Sequence, residues 1–127
     1  MGRLDILINN AGIGTAGPRQ TSAEGFELRF TVNYLAGFLL TLLLLPSVKN
    51  SAPARIVNVS SAGQQPIDFD VVMLTGGYSG ARAYCQSKLA QIMFTIDWRL
   101  RSRVPVSRSR VFTPPLTWIR AWYDGPE

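Results

Sequence analysis

Histidine is absent from these 127 residues, so no Ser-His-Asp triad can form. Cysteine occurs once, as Cys85, which leaves neither a zinc-ligand set nor a disulfide framework. One unpaired thiol suits a reducing, cytoplasmic setting, and Cys85 reads as a small helix residue rather than a nucleophile. Long apolar runs are also missing. The longest, Tyr34 to Pro46, falls short of the about 20 residues that cross a bilayer, and predicts a buried helix with no membrane span. No secretory signal is expected at the start, because Asn9 and Asn10 interrupt the first apolar run. The formal charge of +5 is uneven: residues 1 to 98 carry seven basic and six acidic groups, residues 99 to 127 six arginines and two acids. With little aromatic interleaving among those arginines and a nearly neutral remainder, no nucleic-acid partner is expected.

The chain is long enough for one domain with a core. Leu4 to Ile8 is a short continuous apolar run, the pattern of a parallel strand covered on both faces, and Asn10 to Gly17 supplies a turn. Thr21-Ser22-Ala23-Glu24 predicts a helix start, with helix continuing to Pro46, and Asn50 to Pro53 reads as a linker. Ile56, Val57 and Val59 predict a second buried strand. Strand, helix, strand then implies a right-handed crossover and a parallel sheet. Gly63 to Gly80 reads as a long loop able to line a site, and helix returns from Ala81 to Trp98.

On that last helix Tyr84 and Lys88 stand four apart, which places both on one face. An ammonium beside a phenol favours the phenolate and brings tyrosine toward acid/base work near neutral pH. Asn9-Asn10-Ala11-Gly12 closes the first apolar run, and the paired serines Ser60 and Ser61 close the second. Read singly, these also suit turns and caps, and Asn33 suits a helix residue bonded to nearby backbone.

Taken in order, they resemble the short-chain dehydrogenase/reductase family. Its pattern is Asn-Asn-Ala-Gly after the fourth strand, an Asn in the next helix, a Ser after the fifth strand, then Tyr-x-x-x-Lys. The match covers roughly residues 2 to 98. The long step from Ser61 to Tyr84, with Ala83-Tyr84-Cys85-Gln86-Ser87-Lys88, is most similar to the retinol-dehydrogenase-like branch. The resemblance implies an α/β fold: an incomplete Rossmann-type doubly wound parallel sheet, the fourth and fifth strands with their helices, ending in an irregular C-terminal tail. It further implies an oxidoreductase moving hydride between NAD or NADP and a small-molecule alcohol or carbonyl substrate, whether retinoid, steroid or small alcohol. Tyr84 would be the proton donor or acceptor, Ser61 the partner of the substrate oxygen, Lys88 the holder of the nicotinamide ribose, and Asn33 the support of a water chain. Asn9, Asn10, Ala11 and Gly12, with Tyr84 and Lys88, would face the cofactor.

Gly12-Ile13-Gly14-Thr15-Ala16-Gly17 mimics a phosphate-binding turn, but it follows the Asn-Asn-Ala motif and corresponds to a later loop. The chain has no glycine-rich turn after a first strand, so NAD and NADP are indistinguishable. Two strands make a poor sheet, and the chain is expected to be marginal and inactive alone. The alternative is a noncatalytic truncated relative that pairs with a full-length dehydrogenase through its long helices, whose faces could equally serve a homo-oligomer. After Asp97 the resemblance is expected to stop, so 1–98 form the partial domain and 99–127 a basic irregular tail. Back-translating Thr113 to Trp122 and shifting by one nucleotide permits His-Pro-Ala-Thr-Tyr-Met-Asp-Thr-Gly-Met, similar to the family's segment after its sixth strand. This predicts a change of coding frame near codon 98.

Overall fold

The computed structural model describes residues 2–101 and 108–112. Strand β1 is Ile6–Asn9, followed by a long loop and a continuous helical rod: α1 at Leu28–Phe30, a π-helical turn at Thr31–Leu35, and α2 at Ala36–Asn50. Strand β2 is Arg55–Val59, helix α3 is Gly80–Arg101 and strand β3 is Arg108–Phe112. The three strands form a parallel sheet in the order β1-β2-β3, with Leu7 opposite Ile56, Asn9 opposite Asn58, and Val59 opposite Phe112.

The expected strands and parallel α/β order hold, and several boundaries move. The helix begins at Leu28 rather than near Ser22: Ser22 to Phe26 close a turn, Thr21 bridges Glu27, and the Glu27 carboxylate accepts from the Phe30 amide at 2.7 Å as the cap. It runs past Pro46 to Asn50. There Ser51, read from sequence as linker, accepts from Leu4 N at 2.7 Å and donates to Ser47 O at 2.8 Å, tying the helix end to the start of the sheet.

Among the described residues, the sheet is covered on one face only. Leu7 and Ile56 pack with Val48 and Ala54 under the helices, whereas Ile6 and Ile8 on the other face are 53% and 59% exposed. The expectation of a strand buried on both faces therefore fails. Both crossovers step in the same direction, and right-handed crossovers that do so lie on the same side. The predicted buried helix is likewise half-buried: Thr41 and Val48 face the sheet, while Leu39, Leu40, Leu42 and Leu43 are exposed. Leu28–Asn50 is long and apolar enough by length and composition to cross a membrane, more than the sequence run suggested. In this structure the rod is tied to β1 through Thr41 and to the loop after β1 through Asn33.

The tail expectation changes most. Helix α3 continues to Arg101, and Arg108–Phe112, read as irregular, forms a strand on the open edge of β2. Backbone pairing requires no apolar alternation, which is why Arg108-Ser109-Arg110 gave no strand signal. Three strands reach the number at which a sheet becomes independently viable. Residues 113–127, where the frame change would be read, lie outside the described residues.

Candidate active site

A buried polar ladder crosses the covered face of the sheet and fixes the helices before any chemistry is set. Asn9 Nδ2 donates to Asn58 Oδ1 at 2.7 Å and to Thr41 Oγ1 at 3.0 Å, Thr41 donates to Gly37 O at 2.7 Å, and Asn58 Nδ2 donates to Thr95 Oγ1 at 2.8 Å. Asn9 and Asn58 thereby join β1 and β2 to α2 and α3. Gly37 permits this approach, because a Cβ there would lie 3.2 Å from Asn9 Cγ. The first asparagine of the Asn-Asn-Ala-Gly motif thus holds its side chain in the core, bonded to Asn58 and Thr41. Asn10 and Ala11 are exposed beyond the strand end.

Gly12 lies where the other elements converge. A Cβ on it would meet Asn33 Oδ1 at 3.3 Å and Lys88 Nζ at 3.6 Å. Asn33 sits inside the π-helical turn, a distortion that often marks functional positions. Its amide accepts from Ile13 N at 2.7 Å and donates to Ile13 O at 3.1 Å and Ser87 Oγ at 3.0 Å. One side chain, 2% exposed, thus ties the loop after β1 to α3.

Lys88 reaches back under the end of β2. Its ammonium donates to Val59 O at 3.0 Å and lies 5.8 Å from the centroid of the Tyr84 ring, on the shared helical face that the spacing predicts. Burial lowers it from the ordinary lysine value of 10.5 to about 8, since taking an ammonium out of water disfavours its charged form. An ammonium carries three donors, and this one borders the space beside Gly12, a placement that suits a pair of ribose hydroxyls.

The paired serines part company. Ser60 Oγ donates to the Lys88 carbonyl at 2.9 Å and is used in holding α3 to the strand end. Ser61 Oγ accepts from Gly63 N at 3.2 Å, and the space that a Cβ at Gly63 would fill is bounded by Ser61 Oγ at 3.7 Å, Tyr84 Cε1 at 3.8 Å and Cys85 Sγ at 3.5 Å. Ser61 and the Tyr84 ring therefore share one small volume under Gly63, and the geometry favours Ser61 of the pair. Cys85 borders the same volume, and burial pushes its thiol up. The structure thus gathers Asn33, Ser61, Tyr84, Lys88 and Gly12, and leaves the Asn9 side chain out.

Sequence reasoning missed Asn58, Thr41 and Thr95, and a cluster of buried Glu27 and Arg29 with half-buried Tyr78. Asn58 had a signal: it lies two residues from Ile56, so it shares the buried strand face. Arg29, between Leu28 and Phe30 in an apolar helix, was a second.

The family model described as short chain dehydrogenase matches residues 1–105. Retinol dehydrogenase 13 of Homo sapiens is 52% identical over 96 residues, covering 73% of this chain and 29% of that protein; human retinol dehydrogenase 12 is 50% identical over 95 residues, covering 73% and 30%. The chain spans about three tenths of the length of these relatives. Among solved structures, a metagenomic short-chain oxidoreductase in complex with NADP superposes with a TM-score of 0.59 at 26% identity, covering 86% of this chain and 44% of that one. NADPH-bound carbonyl reductase from chicken fatty liver gives 0.51 at 31% identity, covering 77% and 42%. The match running to residue 105 carries the likeness past Asp97, where sequence reading ended it. With the motif order, the Asn33–Gly12–Lys88 convergence and the Ser61–Tyr84 volume all in register, this chain belongs to the short-chain dehydrogenase family.

Proposed function

We propose that this chain is the catalytic centre of a short-chain oxidoreductase acting on an alcohol or carbonyl substrate. The observation that carries the reading is the convergence of Lys88 Nζ and Asn33 Oδ1 on Gly12, next to the volume that Ser61 shares with Tyr84. The named relatives make a retinol-like alcohol the first substrate class to try. When bound, a nicotinamide cofactor supplies or accepts the hydride. The Tyr84 hydroxyl gives or takes the proton at the substrate oxygen, and Ser61 Oγ donates a hydrogen bond to that oxygen. Lys88 holds the ribose hydroxyls and stands by the Tyr84 ring as a cation, and Asn33 fixes the Ile13 backbone beside it.

Among the described residues, those that suit the cofactor gather at its nicotinamide end. No strand, glycine-rich turn and helix N-terminus for a pyrophosphate occurs among the described residues, so NAD versus NADP stays open and the chain alone is inactive. The single free thiol accords with a reducing, cytoplasmic location. The test is an NMR titration of the 127-residue chain with reduced nicotinamide mononucleotide and, separately, with ADP. The mononucleotide should shift the amides around Gly12, Ser61 and Lys88, and ADP should shift none. A response to ADP alone, or to neither, refutes the reading.

A second reading is a noncatalytic relative that pairs with an intact dehydrogenase through α2 and α3. The exposed Leu39, Leu42, Leu43, Met93 and Ile96 favour it. Co-purification with a full-length dehydrogenase, lost on Leu43→Glu, supports pairing; a monomer in its presence rejects it.

A further inference from the structure

Outside the Ser61, Tyr84 and Lys88 constellation, one cluster, buried Glu27 and Arg29 with half-buried Tyr78, holds both loops that border it. The Arg29 guanidinium, 4% exposed, donates to the carbonyls of Gly14 at 2.6 Å, Ala16, and Pro18 at 3.5 Å, all in the loop that runs on from Gly12. It also donates to the Tyr78 hydroxyl and lies 5.8 Å from that ring's centroid. Tyr78 donates in turn to Glu27 Oε1 at 3.1 Å, and Glu27, 1% exposed, spends its other oxygen capping the helix. Tyr78 ends the loop that begins at Gly63, over Ser61 and Tyr84, and stands two residues before α3. Lower in the same loop, Met73 accepts from Glu27 N through sulfur at 3.3 Å and from Arg19 through its carbonyl. Where the two loops touch, a Cβ on Gly80 would overlap the Thr15 carbonyl.

A buried guanidinium and carboxylate are a weak source of stability compared with an apolar core. Their placement here, forked across two loops some fifty residues apart in sequence, does something an apolar contact cannot: it fixes both loops to one planar group. We propose, resting on the reading of Ser61 and Tyr84 as the reacting pair, that Glu27, Arg29 and Tyr78 are positioning residues. They lock the 13–18 and 63–79 loops into one unit and so set access to the reacting pair from the substrate side.

Tyr78→Phe removes one hydroxyl and keeps the ring; Arg29→Lys keeps the charge and removes the fork. Both are made in the 127-residue chain and read by amide hydrogen exchange and by the rate at which iodoacetamide alkylates Cys85, whose sulfur lies under Gly63. Loss of a charge-assisted bond predicts exchange faster by about tenfold in both loops together, with faster alkylation, while Leu7 and Ile56 amides in the sheet keep their protection. Unchanged exchange and alkylation overturns the proposal, as does loosening of one loop alone. Loss of sheet protection in Tyr78→Phe overturns it too, since the cluster would then serve global stability. Neither readout needs turnover or cofactor. A failure here leaves the mononucleotide titration unaffected, and a failure there leaves the lock standing.

Discussion

The buried Lys88 ammonium makes the pH dependence of stability a direct readout of the site. The folded value is about 8 against an ordinary 10.5, so between these values the unfolded chain binds more protons than the folded one. Stability therefore rises with pH across that window: the penalty for burying the charge is in full force below pH 8 and is relieved as the folded ammonium deprotonates. Between about pH 7 and about pH 9.5 the gain is about 2 kcal/mol, from 1.36 kcal/mol per pH unit over the part of the window crossed. Other groups oppose it. Cys85, Tyr34 and Tyr78 are raised by burial, so each contributes stability that is lost as pH climbs past its unfolded value. The comparison that isolates Lys88 is thus between the parent chain and Lys88→Met, in which those contributions cancel. Urea unfolding of both across this range should show the parent gaining about 2 kcal/mol on the variant. The unpaired Val59 carbonyl in the variant adds a constant offset and no slope. A difference that stays flat with pH, or falls, would refute the burial of a charged Lys88 in the folded chain.

Gly37→Ala should cost about 1–3 kcal/mol by forcing its new methyl against the Asn9 amide, measured by urea unfolding, with Gly2→Ala, at an open position, as the silent control. Asn58→Ala should cost a similar amount, about 1–3 kcal/mol, because Asn9 Nδ2 loses its 2.7 Å acceptor inside the sheet, and the loss should be non-additive with Thr95→Ala. Sequencing the gene should find a single inserted or deleted base near codon 98; an uninterrupted frame with no better family likeness in the shifted reading refutes the frame change.

The residues that the structure gathers around Gly12 and Gly63 were legible from local pattern alone. Tyr84 and Lys88 share a helical face whatever the tertiary context, and Ser61 and Gly12 sit at strand ends whose apolar runs are unmistakable. Asn9-Asn10-Ala11-Gly12 was read as a single contact surface, and the structure divides it. Strand alternation sends Asn9 to the same side as Leu7, into the core, and only the chain beyond it reaches the site. The Glu27, Arg29 and Tyr78 cluster was not legible because its partners are backbone carbonyls, which every residue carries, and because Tyr78 lies some fifty residues from Arg29. The exposed sheet face was hidden for a related reason: a continuous apolar run states that a strand can be covered on both sides, not that this chain supplies both covers. β3 escaped notice because backbone pairing needs no side-chain alternation, and Arg108-Ser109-Arg110 shows none.

The most direct measurement is the turnover of a chimera in which residues 1–105 replace the matching segment of human retinol dehydrogenase 13, so that the missing parts of the fold are supplied. The account predicts nicotinamide-dependent turnover of an alcohol or carbonyl substrate that Tyr84→Phe lowers by roughly 10²- to 10⁴-fold, with folding unchanged. A folded chimera without turnover, or one that Tyr84→Phe leaves fully active, would contradict the assignment of this constellation as a reacting centre.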